Sequence, residues 1–257
     1  MREPHGSLLE FAVEVAWRVG RISLAHYQTG IAAETKADAS PVTVADRDAE
    51  RLARDLIETR FPSDGIVGEE FGESRPGASR RWIIDPIDGT RSFVRGVPLY
   101  GVLLAVEDDD EAVLGVIHFP ALSETVYAAR GEGCWWDGRR ALVSDTTSLS
   151  DALVLTTSYE GVERRERRGW NRVRKLAGQA RTWGDCYGHA LVATGRAEAM
   201  FDSSMSIWDA AALKPIIEEA GGVFTDWSGQ STHRGDSAIS TNAALAREIR
   251  SLLQEPE

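Results

Sequence analysis

The sequence predicts an α+β protein in which helices cover layered β-sheets. Three observations support this prediction. Two long segments near the N-terminus carry apolar residues at helical spacing, short apolar runs alternate with turn residues in the middle of the chain, and strands alternate with helices towards the C-terminus. The 257 residues are enough for one large domain or for two closely packed halves.

The first two predicted elements are amphipathic helices. The first is expected from Ser7 to about Gln28, because Ser7 and Glu10 form a capping-box pattern before an apolar stripe. The second is expected from about Thr43 to Arg60, where alanine, leucine and isoleucine repeat at the same spacing. A Phe-Pro-Ser-Asp-Gly segment follows, and its proline and glycine are typical of a helix end.

Short strands are predicted after these helices. The Trp82–Ile84 run indicates a buried strand, and the Glu124–Ala129 run indicates another. Apolar runs on both sides of the acidic segment Asp108–Glu111 are typical of an antiparallel hairpin. We therefore expect residues 1–144 to form a half with a largely antiparallel sheet and two long helices.

Residues 145–257 are expected to form a second half, with a mixed sheet between helices. The predicted strands are 152–157, 197–201, 223–226 and 238–241, and the predicted helices are 164–178, 187–194, 208–220 and 243–253. The sequence shows no low-complexity linker between the halves. The boundary near residue 144 is therefore soft, and the halves are expected to share an interface.

The composition argues against several classes of protein. The formal net charge is −11, so we expect no binding to nucleic acid or to an anionic membrane surface. The sequence has no run of about 18 apolar residues, and charges interrupt its first thirty residues, unlike a secretory signal. Cys134 and Cys186 form no CxxC pair, which disfavours a zinc ribbon or a disulfide scaffold. We therefore expect a cytoplasmic protein.

Two carboxylates follow the predicted buried strand. Asp85 and Asp88 lie three residues apart in an Asp-Pro-Ile-Asp-Gly-Thr motif, and Gly89 permits a tight turn after them. Such a turn can aim both side chains and a backbone carbonyl, such as that of Ile87, at one point. Hard cations such as Mg²⁺ prefer this oxygen-only set of ligands. The same residue types also favour an ordinary surface turn, so the motif alone leaves both interpretations open.

Two further segments carry acids. Glu69–Glu70 follows a short apolar run, and Trp208–Ala211 places Asp209 at the start of a predicted helix. Taken alone, an aspartate there can be a helix cap and a glutamate pair is usually solvated. Together with the Asp85–Thr90 motif, in this order, the segments resemble the inositol monophosphatase family of metal-dependent phosphomonoesterases. Asp46 falls where that superfamily has an upstream acid, and the resemblance covers almost the whole chain.

The resemblance implies a layered α-β-α-β-α sandwich of the sugar-phosphatase type, as in fructose-1,6-bisphosphatase, with the site between the halves. It also implies two or three Mg²⁺ ions, with Mn²⁺ as a possible substitute. Glu69, Asp85 and the carbonyl of Ile87 would hold the first ion. Asp85, Asp88 and Asp209 would hold the second, and Glu69 could contact a third, weaker one.

The resemblance also implies catalytic roles. Backbone N–H groups of Gly89 and Thr90 would bind the phosphate, Thr90 and Glu69 would orient the attacking water, and Asp46 would support Thr90 through a chain of hydrogen bonds. The substrate-binding residues that it implies in this region are Ile87, Asp88, Gly89, Thr90 and Asp209.

Electrostatics agree with this interpretation. Two carboxylates about 4 Å apart repel by roughly 4 kcal/mol at an effective dielectric constant of about 20. Gathered acids must therefore either raise their pKa values or bind cations. Bound cations would also attract a phosphate that a protein of charge −11 otherwise repels.

The second half carries the signal for the substrate. The Arg181–Gly188 segment and Asp202 resemble the histidinol-phosphatase branch more than the inositol-specific one. L-Histidinol phosphate carries an ammonium and an imidazole, with which Asp185 and Asp202 could pair, while Arg181 could touch the phosphate or organise Asp185. Two plainer interpretations stay open: Asp185 as the N-cap of a helix near Tyr187, and Asp202 as a turn residue at a strand end.

We therefore expect a Mg²⁺-dependent phosphomonoesterase in which activated water attacks L-histidinol phosphate, a step of histidine biosynthesis. The alternatives are phosphatases of the same superfamily acting on inositol 1-phosphate, fructose 1,6-bisphosphate or a 3′-phosphorylated adenosine nucleotide, and a non-catalytic metal-binding regulator. A homodimer is expected from the resemblance. The basic run Arg164–Arg168 is interpreted as a solvated helix face. His189 is interpreted as a helix-surface histidine, and its approach to the pocket is the alternative that stays open.

Overall fold

The computed structural model describes residues 5–36 and 41–254. The helices are α1 (His5–His26), α2 (Val44–Arg60), α3 (Thr90–Val94), α4 (Tyr159–Leu176), α5 (Asp185–Ala193), α6 (Ile207–Ala210), α7 (Leu213–Glu219) and α8 (Ala246–Gln254), with a 3-10 turn at Leu149–Asp151. Among these described residues, no helix combines the length and apolarity needed to cross a membrane.

Fifteen strands are described. They are β1 (Glu34–Thr35), β2 (Pro41–Val42), β3 (Gly65–Gly68), β4 (Gly72–Ser74), β5 (Arg80–Asp88), β6 (Gly101–Asp108), β7 (Glu111–Phe119), β8 (Glu124–Ala129), β9 (Gly133–Trp136), β10 (Arg139–Arg140), β11 (Leu153–Thr156), β12 (Gln179–Arg181), β13 (Ala199–Asp202), β14 (Val223–Thr225) and β15 (Ala238–Thr241). β1 and β2 pair only with each other in the described structure.

The larger sheet has eight strands in the order β10-β9-β8-β7-β6-β5-β3-β4. Its neighbours are antiparallel except for β3 and β5, which run parallel. The predicted hairpin is confirmed as β6 and β7, with Asp108 opposite Glu111 at its tip. On β5, Trp82 and Ile84 pack on one face and Ile83 on the other, which explains why these three consecutive residues are all apolar.

The smaller sheet has five strands in the order β12-β11-β13-β15-β14. β11 is parallel to β12 and β13, whereas β15 is antiparallel to both of its neighbours, β13 and β14. A mixed sheet was the expectation for this part of the chain.

The helices and sheets form five layers. α1 and α2 pack on the outer face of the larger sheet, α5, α6 and α7 lie between the two sheets, and α4 and α8 cover the other face of the smaller sheet. The predicted α-β-α-β-α sandwich is confirmed. The apolar core between the sheets draws on both halves, for example Leu103 and Leu155. A division of the chain near residue 144 stays a prediction.

The helix starts were predicted with mixed success. At α2 the prediction is confirmed, because Thr43 is the N-cap and accepts a hydrogen bond from Ala45 N at 3.1 Å, while its own N–H donates to Asp46. At α1 the predicted cap is wrong. The helix is already formed at His5, so Ser7 lies within its first turn.

The helix predicted over 208–220 is divided into α6 and α7. Pro215 explains the break, because it has no N–H to donate to the carbonyl of Ala211 one turn earlier. At this break the backbone touches the larger sheet directly: a Cβ on Gly115 of β7 would overlap the carbonyl oxygen of Ala212. Gly115 therefore lets α6 and α7 approach the sheet at backbone contact.

Candidate active site

Three carboxylates from distant parts of the sequence meet between the sheets. Asp85 and Asp88 lie at the end of β5, and Asp209 lies on α6. One oxygen of each lies within 4.8 Å of one oxygen of each of the others. The structure thus brings together three of the acids that the sequence analysis named as metal ligands.

The end of β5 departs from regular strand geometry. Its pairing with β6 shifts register between Asp85 and Asp88, which marks a bulge. Within it, Ile87 N donates to Asp85 Oδ1 at 3.0 Å, and the hydroxyl of Thr90 donates to the carbonyl of Ile87 at 3.0 Å. In a regular strand, residues three apart point to opposite faces of the sheet. The bulge instead brings the side chains of Asp85 and Asp88 to one location.

Gly89 connects this bulge to α3. Its φ of 81° lies in the left-handed region, and a Cβ there would lie 3.1 Å from the carbonyl oxygen of Leu99 and 3.2 Å from Asp185 Oδ2. Both the conformation and the space favour glycine. Thr90 then begins α3, so N–H groups at the start of this helix lie next to the carboxylates.

Backbone N–H groups hold the other two acids. Cys186 N donates to Asp88 Oδ2 at 2.6 Å, and Ser206 N donates to Asp209 Oδ2 at 2.7 Å. Asp209 is therefore not the N-cap of its helix. It is the third residue of a capping box whose cap is Ser206. These bonds fix each side chain through one oxygen.

The clustered acids are strained electrostatically. Burial, with the charge of Glu69 next, raises the pKa of Asp85 well above its usual value. Burial and the charge of Asp185 do the same for the pKa of Asp88, and burial raises the pKa of Asp209 to about 6. The backbone N–H groups that donate to Asp88 and Asp209 carry no formal charge, so they do not neutralise these carboxylates. An oxygen-only, poorly compensated cluster of this kind fits a hard divalent cation such as Mg²⁺.

Glu69 reaches the same region from the neighbouring strand. β3 and β5 are parallel, with Gly68 opposite Ile84, so the next residues along the two chains, Glu69 and Asp85, lie side by side. Lys36 donates to Glu69 Oε1 at 2.7 Å. Burial nevertheless raises the pKa of Glu69.

Lys36 was missed by the sequence analysis. Besides Glu69, it contacts Glu70 Oε1 at 2.5 Å, so one ammonium group bridges the two glutamates. No local pattern marks this lysine, because it approaches from a short strand pair that precedes α2. Glu70 is thereby held beside the site rather than in the three-acid cluster.

Glu50 on α2 is a second residue that the sequence analysis missed. It is fully buried, and its carboxylate accepts hydrogen bonds from Glu70 N at 2.7 Å and Phe71 N at 3.2 Å. Arg54 donates to it at 2.7 Å. A Cβ on Gly68 would overlap this carboxylate, so the glycine before Glu69 makes room for it. Glu50 thus supports the backbone that carries Glu69.

Asp46 and Thr90 do not form the expected chain of hydrogen bonds. Asp46 Oδ2 accepts from the N–H and the hydroxyl of Thr43 at 2.8 and 2.6 Å, and the hydroxyl of Thr90 is directed to Ile87. Within the described residues, Asp46 Oδ1 is buried without a partner. Burial raises the pKa of Asp46 to about 6. A catalytic role for Asp46 stays a prediction.

Asp185 lies at the start of α5 in an unusual conformation. Its φ of 52° is in the left-handed region, and its N–H donates to Thr157 Oγ1 at 2.7 Å. The N-cap is Gly184, so the interpretation of Asp185 as a cap is wrong. Burial and the charge of Asp202 raise the pKa of Asp185 to about 7. A strained backbone next to a carboxylate cluster is typical of a functional residue.

The basic residue that acts on Asp185 differs from the predicted one. Arg91 on α3 is the cation that lowers the pKa of Asp185 against the effect of burial. Arg181 is exposed on the edge strand β12, where it donates to the carbonyl of Ala180 at 2.8 Å. Within the described residues, Arg181 therefore forms no hydrogen bond or ion pair with the acid cluster.

Asp202 ends β13, and His189 contacts it from α5. His189 Nε2 lies 3.1 Å from Asp202 Oδ2, and Nδ1 lies 2.6 Å from Ser240 Oγ. His189 is fully buried, so its prediction as a helix-surface residue is wrong. The helix lies between two sheets, and its Ala-Leu-Val-Ala continuation was a signal for a helix without an exposed face.

Comparisons with known proteins identify the family. The sequence model of the inositol monophosphatase family matches residues 6–255. The chain is 46% identical over 244 residues to a histidinol-phosphatase of Chlorobaculum parvum, with 94% of each protein covered. It is 39% identical over 224 residues to a histidinol-phosphatase of Mycobacterium tuberculosis, with 84% of this chain and 85% of the relative covered.

A solved structure agrees with these matches. An inositol monophosphatase from Zymomonas mobilis has a TM-score of 0.89 and 31% identity, and the match covers 99% of this chain and 100% of that one. The family match includes the bulge at the end of β5 and the Asp209 helix, which carry the three-acid cluster. The protein therefore belongs to the inositol monophosphatase family and is a phosphoric monoester hydrolase.

Proposed function

We propose that the protein is a Mg²⁺-dependent phosphatase of a small phosphorylated alcohol, with L-histidinol phosphate as its substrate. The observation that carries the proposal is the convergence of Asp85, Asp88 and Asp209 within 4.8 Å. Two relatives named histidinol-phosphatase, at 46% and 39% identity, support this choice of substrate.

The proposed ligands of the metal combine the three clustered acids with two groups that the family resemblance implies. Glu69, Asp85 and the carbonyl of Ile87 would hold one Mg²⁺, and Asp85, Asp88 and Asp209 would hold a second, with Mn²⁺ as a substitute. A third ion could bind weakly at Glu69. When bound, the ions supply Lewis-acid chemistry: they neutralise the phosphoryl oxygens and increase the acidity of water.

The chain's own groups bind and orient the reactants. N–H groups of Gly89 and Thr90, at the start of α3, donate to the phosphate oxygens. The carboxylate of Glu69 accepts a hydrogen bond from the attacking water, with the hydroxyl of Thr90 as its second partner. Lys36 holds Glu69 in place, and Glu50 holds the backbone behind it. Water so oriented attacks phosphorus in line with the departing alcohol oxygen.

Two acids recognise the alcohol. The charge of Asp202 acts with burial to raise the pKa of Asp185. The ammonium and imidazole of L-histidinol phosphate would relieve this repulsion, whereas the hydroxyls of inositol would not. Arg91 is placed to balance Asp185 from α3, and a contact between Arg181 and the substrate stays a prediction.

Phosphate release tests the proposal. We expect purified protein with Mg²⁺ to hydrolyse L-histidinol phosphate with a higher kcat/KM than inositol 1-phosphate, and to lose activity with EDTA. Asp88→Asn should abolish Mg²⁺-dependent turnover while retaining the fold by circular dichroism. Preference for inositol 1-phosphate would contradict the substrate but not the chemistry. Absence of turnover with every phosphate ester would indicate a non-catalytic metal-binding regulator. A homodimer and a cytoplasmic location also stay predictions.

A further inference from the structure

His189 is a buried titratable residue for which the proposed chemistry has no role. It lies on α5 in the layer between the sheets, and both of its ring nitrogens have a partner. Nε2 contacts Asp202 Oδ2 at 3.1 Å, and Nδ1 contacts the hydroxyl of Ser240 at 2.6 Å.

The hydrogen-bond partners define the tautomer. An ionised carboxylate only accepts hydrogen bonds, so Nε2 of His189 carries the proton that is donated to Asp202. Nδ1 is then an acceptor, and the hydroxyl of Ser240 donates to it. The neutral imidazole satisfies both partners. His189 is therefore a directional donor whose orientation Ser240 fixes from the opposite side.

Asp202 is held at more than one point. Its backbone carbonyl accepts from Trp227 Nε1 at 2.8 Å, and its Oδ2 accepts from His189. With Oδ2 engaged, Oδ1 is the carboxylate oxygen left to meet a ligand. Asp185 begins the same helix, one turn before His189 and therefore on the same side of α5, and the bond to Thr157 holds its backbone at a φ of 52°.

We propose that His189 is a positioning residue that orients Asp202, so that Oδ1 of Asp202 and the carboxylate of Asp185 together bind the ammonium group of the substrate. This inference rests on the proposed function, because it needs a phosphate ester whose alcohol carries a cation. His189 does not touch the substrate. It acts through Asp202 and affects recognition of the alcohol rather than transfer of the phosphoryl group.

Two amide variants separate the two ring nitrogens. In His189→Gln the side-chain amide can reach the position of Nε2 and keep a donor for Asp202. In His189→Asn the shorter amide lies near the position of Nδ1 and leaves Asp202 without its donor. Both variants are neutral and polar, so they form a matched pair in the same buried position.

Steady-state kinetics with two esters give the readout. We expect His189→Asn to raise KM for L-histidinol phosphate by about tenfold, the effect of losing one hydrogen bond to a charged group. Its kcat, and its KM for p-nitrophenyl phosphate, which has no cation, should stay within about threefold of the unmodified enzyme. His189→Gln should restore most of the affinity for L-histidinol phosphate. Thermal unfolding in Mg²⁺ checks that both variants are folded.

The inference is overturned if His189→Asn changes KM for both esters equally, or if it leaves KM for L-histidinol phosphate unchanged. It is also overturned if His189→Gln is as impaired as His189→Asn. If His189→Asn does not fold, Ser240→Ala makes the same comparison, with an expected selective rise of about threefold. Failure of the unmodified enzyme to prefer L-histidinol phosphate would instead remove the proposed function, and the inference with it.

Discussion

Two buried carboxylates in this molecule, Glu107 and Asp85, have pKa values that shift in opposite directions. Burial alone would raise the pKa of Glu107, but a hydrogen bond from His233 and the charges of Arg234 and Arg81 outweigh it and lower that pKa to about 2. At Asp85 burial acts in the same direction, neighbouring acids add to it, and the pKa rises well above its usual value.

The difference lies in the supply of cations. Glu107 and Asp85 are almost equally buried, with 1% and 2% of their surfaces exposed. Glu107 has His233 Nε2 at 2.7 Å and Arg81 Nη2 at 2.6 Å, with Arg234 also in contact, and so joins β6 to the β14–β15 loop. Asp85 meets acids instead. The protein completes the first cluster with its own side chains and leaves the second for ions from solution.

The largest expected effect is at Asp85. Asp85→Asn removes a charge on which both proposed ions depend, so Mg²⁺-dependent phosphate release should fall by about three orders of magnitude, or roughly 4 kcal/mol. The metal-free variant should unfold at the same or a higher temperature, because repulsion has been removed. Asp55→Asn, at an exposed position on α2, is the control and should change neither quantity. If Asp85→Asn lost both phosphate release and thermal stability, the contrast drawn between Asp85 and Glu107 would be contradicted.

The second effect is at Glu107. Glu107→Gln leaves Arg81 and Arg234 near an uncharged amide, so the free energy of unfolding should fall by about 2–3 kcal/mol in urea denaturation. KM for the substrate should not change, since the cluster lies outside the proposed site. If the free energy of unfolding of Glu107→Gln equals that of the unmodified protein, the ion pairs of the buried carboxylate with Arg81 and Arg234 do not stabilise the fold.

The third effect is on the pH dependence of stability. The pKa values of Asp185, about 7, and Asp209, about 6, lie above those of unfolded aspartates, so ionisation of these groups destabilises the fold. Stability of the metal-free protein should therefore fall as the pH rises from about 4 to about 7. The contribution of Glu107 has the opposite sign and is lost as the pH falls from about 4.5 towards 2.

Melting temperatures measured in EDTA between these limits should accordingly decrease by a few degrees towards neutral pH. Saturating Mg²⁺ should flatten or reverse the trend, because it stabilises the ionised acids. A metal-free protein that is most stable near pH 7 would contradict the inference that ionisation of Asp185 and Asp209 destabilises the fold.

The smallest effect is at the hairpin tip. Glu111 lies 3.6 Å from Arg130, and both side chains are more than half exposed. Glu111→Gln should change the free energy of unfolding by less than about 0.5 kcal/mol. Measured beside Glu107→Gln, it tests whether burial, rather than the loss of any acid, accounts for the larger effect.

Local sequence patterns predicted much of the fold. The start of α2 near Thr43, its apolar stripe and the β6–β7 hairpin are confirmed, because spacing and turn residues encode them within short segments. The five-layer arrangement is also confirmed, but it was implied by the resemblance to the family and not by local patterns. The acids of the Asp85–Thr90 motif and Asp209 also converge as expected.

The missed features depend on contacts between distant elements. Lys36 and Glu50 support Glu69 from other elements, and no residue spacing in the sequence indicates that these two side chains lie near it. The burial of His189 had a signal in the apolar Ala-Leu-Val-Ala continuation of its helix, but that signal does not show that sheets cover both sides of the helix. The break before Pro215 had a visible signal, which the apolar spacing of residues 208–220 masked.

The close approach at Gly115 limits how this protein can change. Where main chain meets main chain, there are no intervening side chains to be exchanged for larger or smaller ones. The distance between β7 and the backbone at Ala212 therefore cannot be adjusted gradually by exchanging core side chains at this contact. Substitutions should therefore be tolerated more readily around Asp185 and Asp202, which are proposed to bind the alcohol, than at the contact that positions α6 and Asp209.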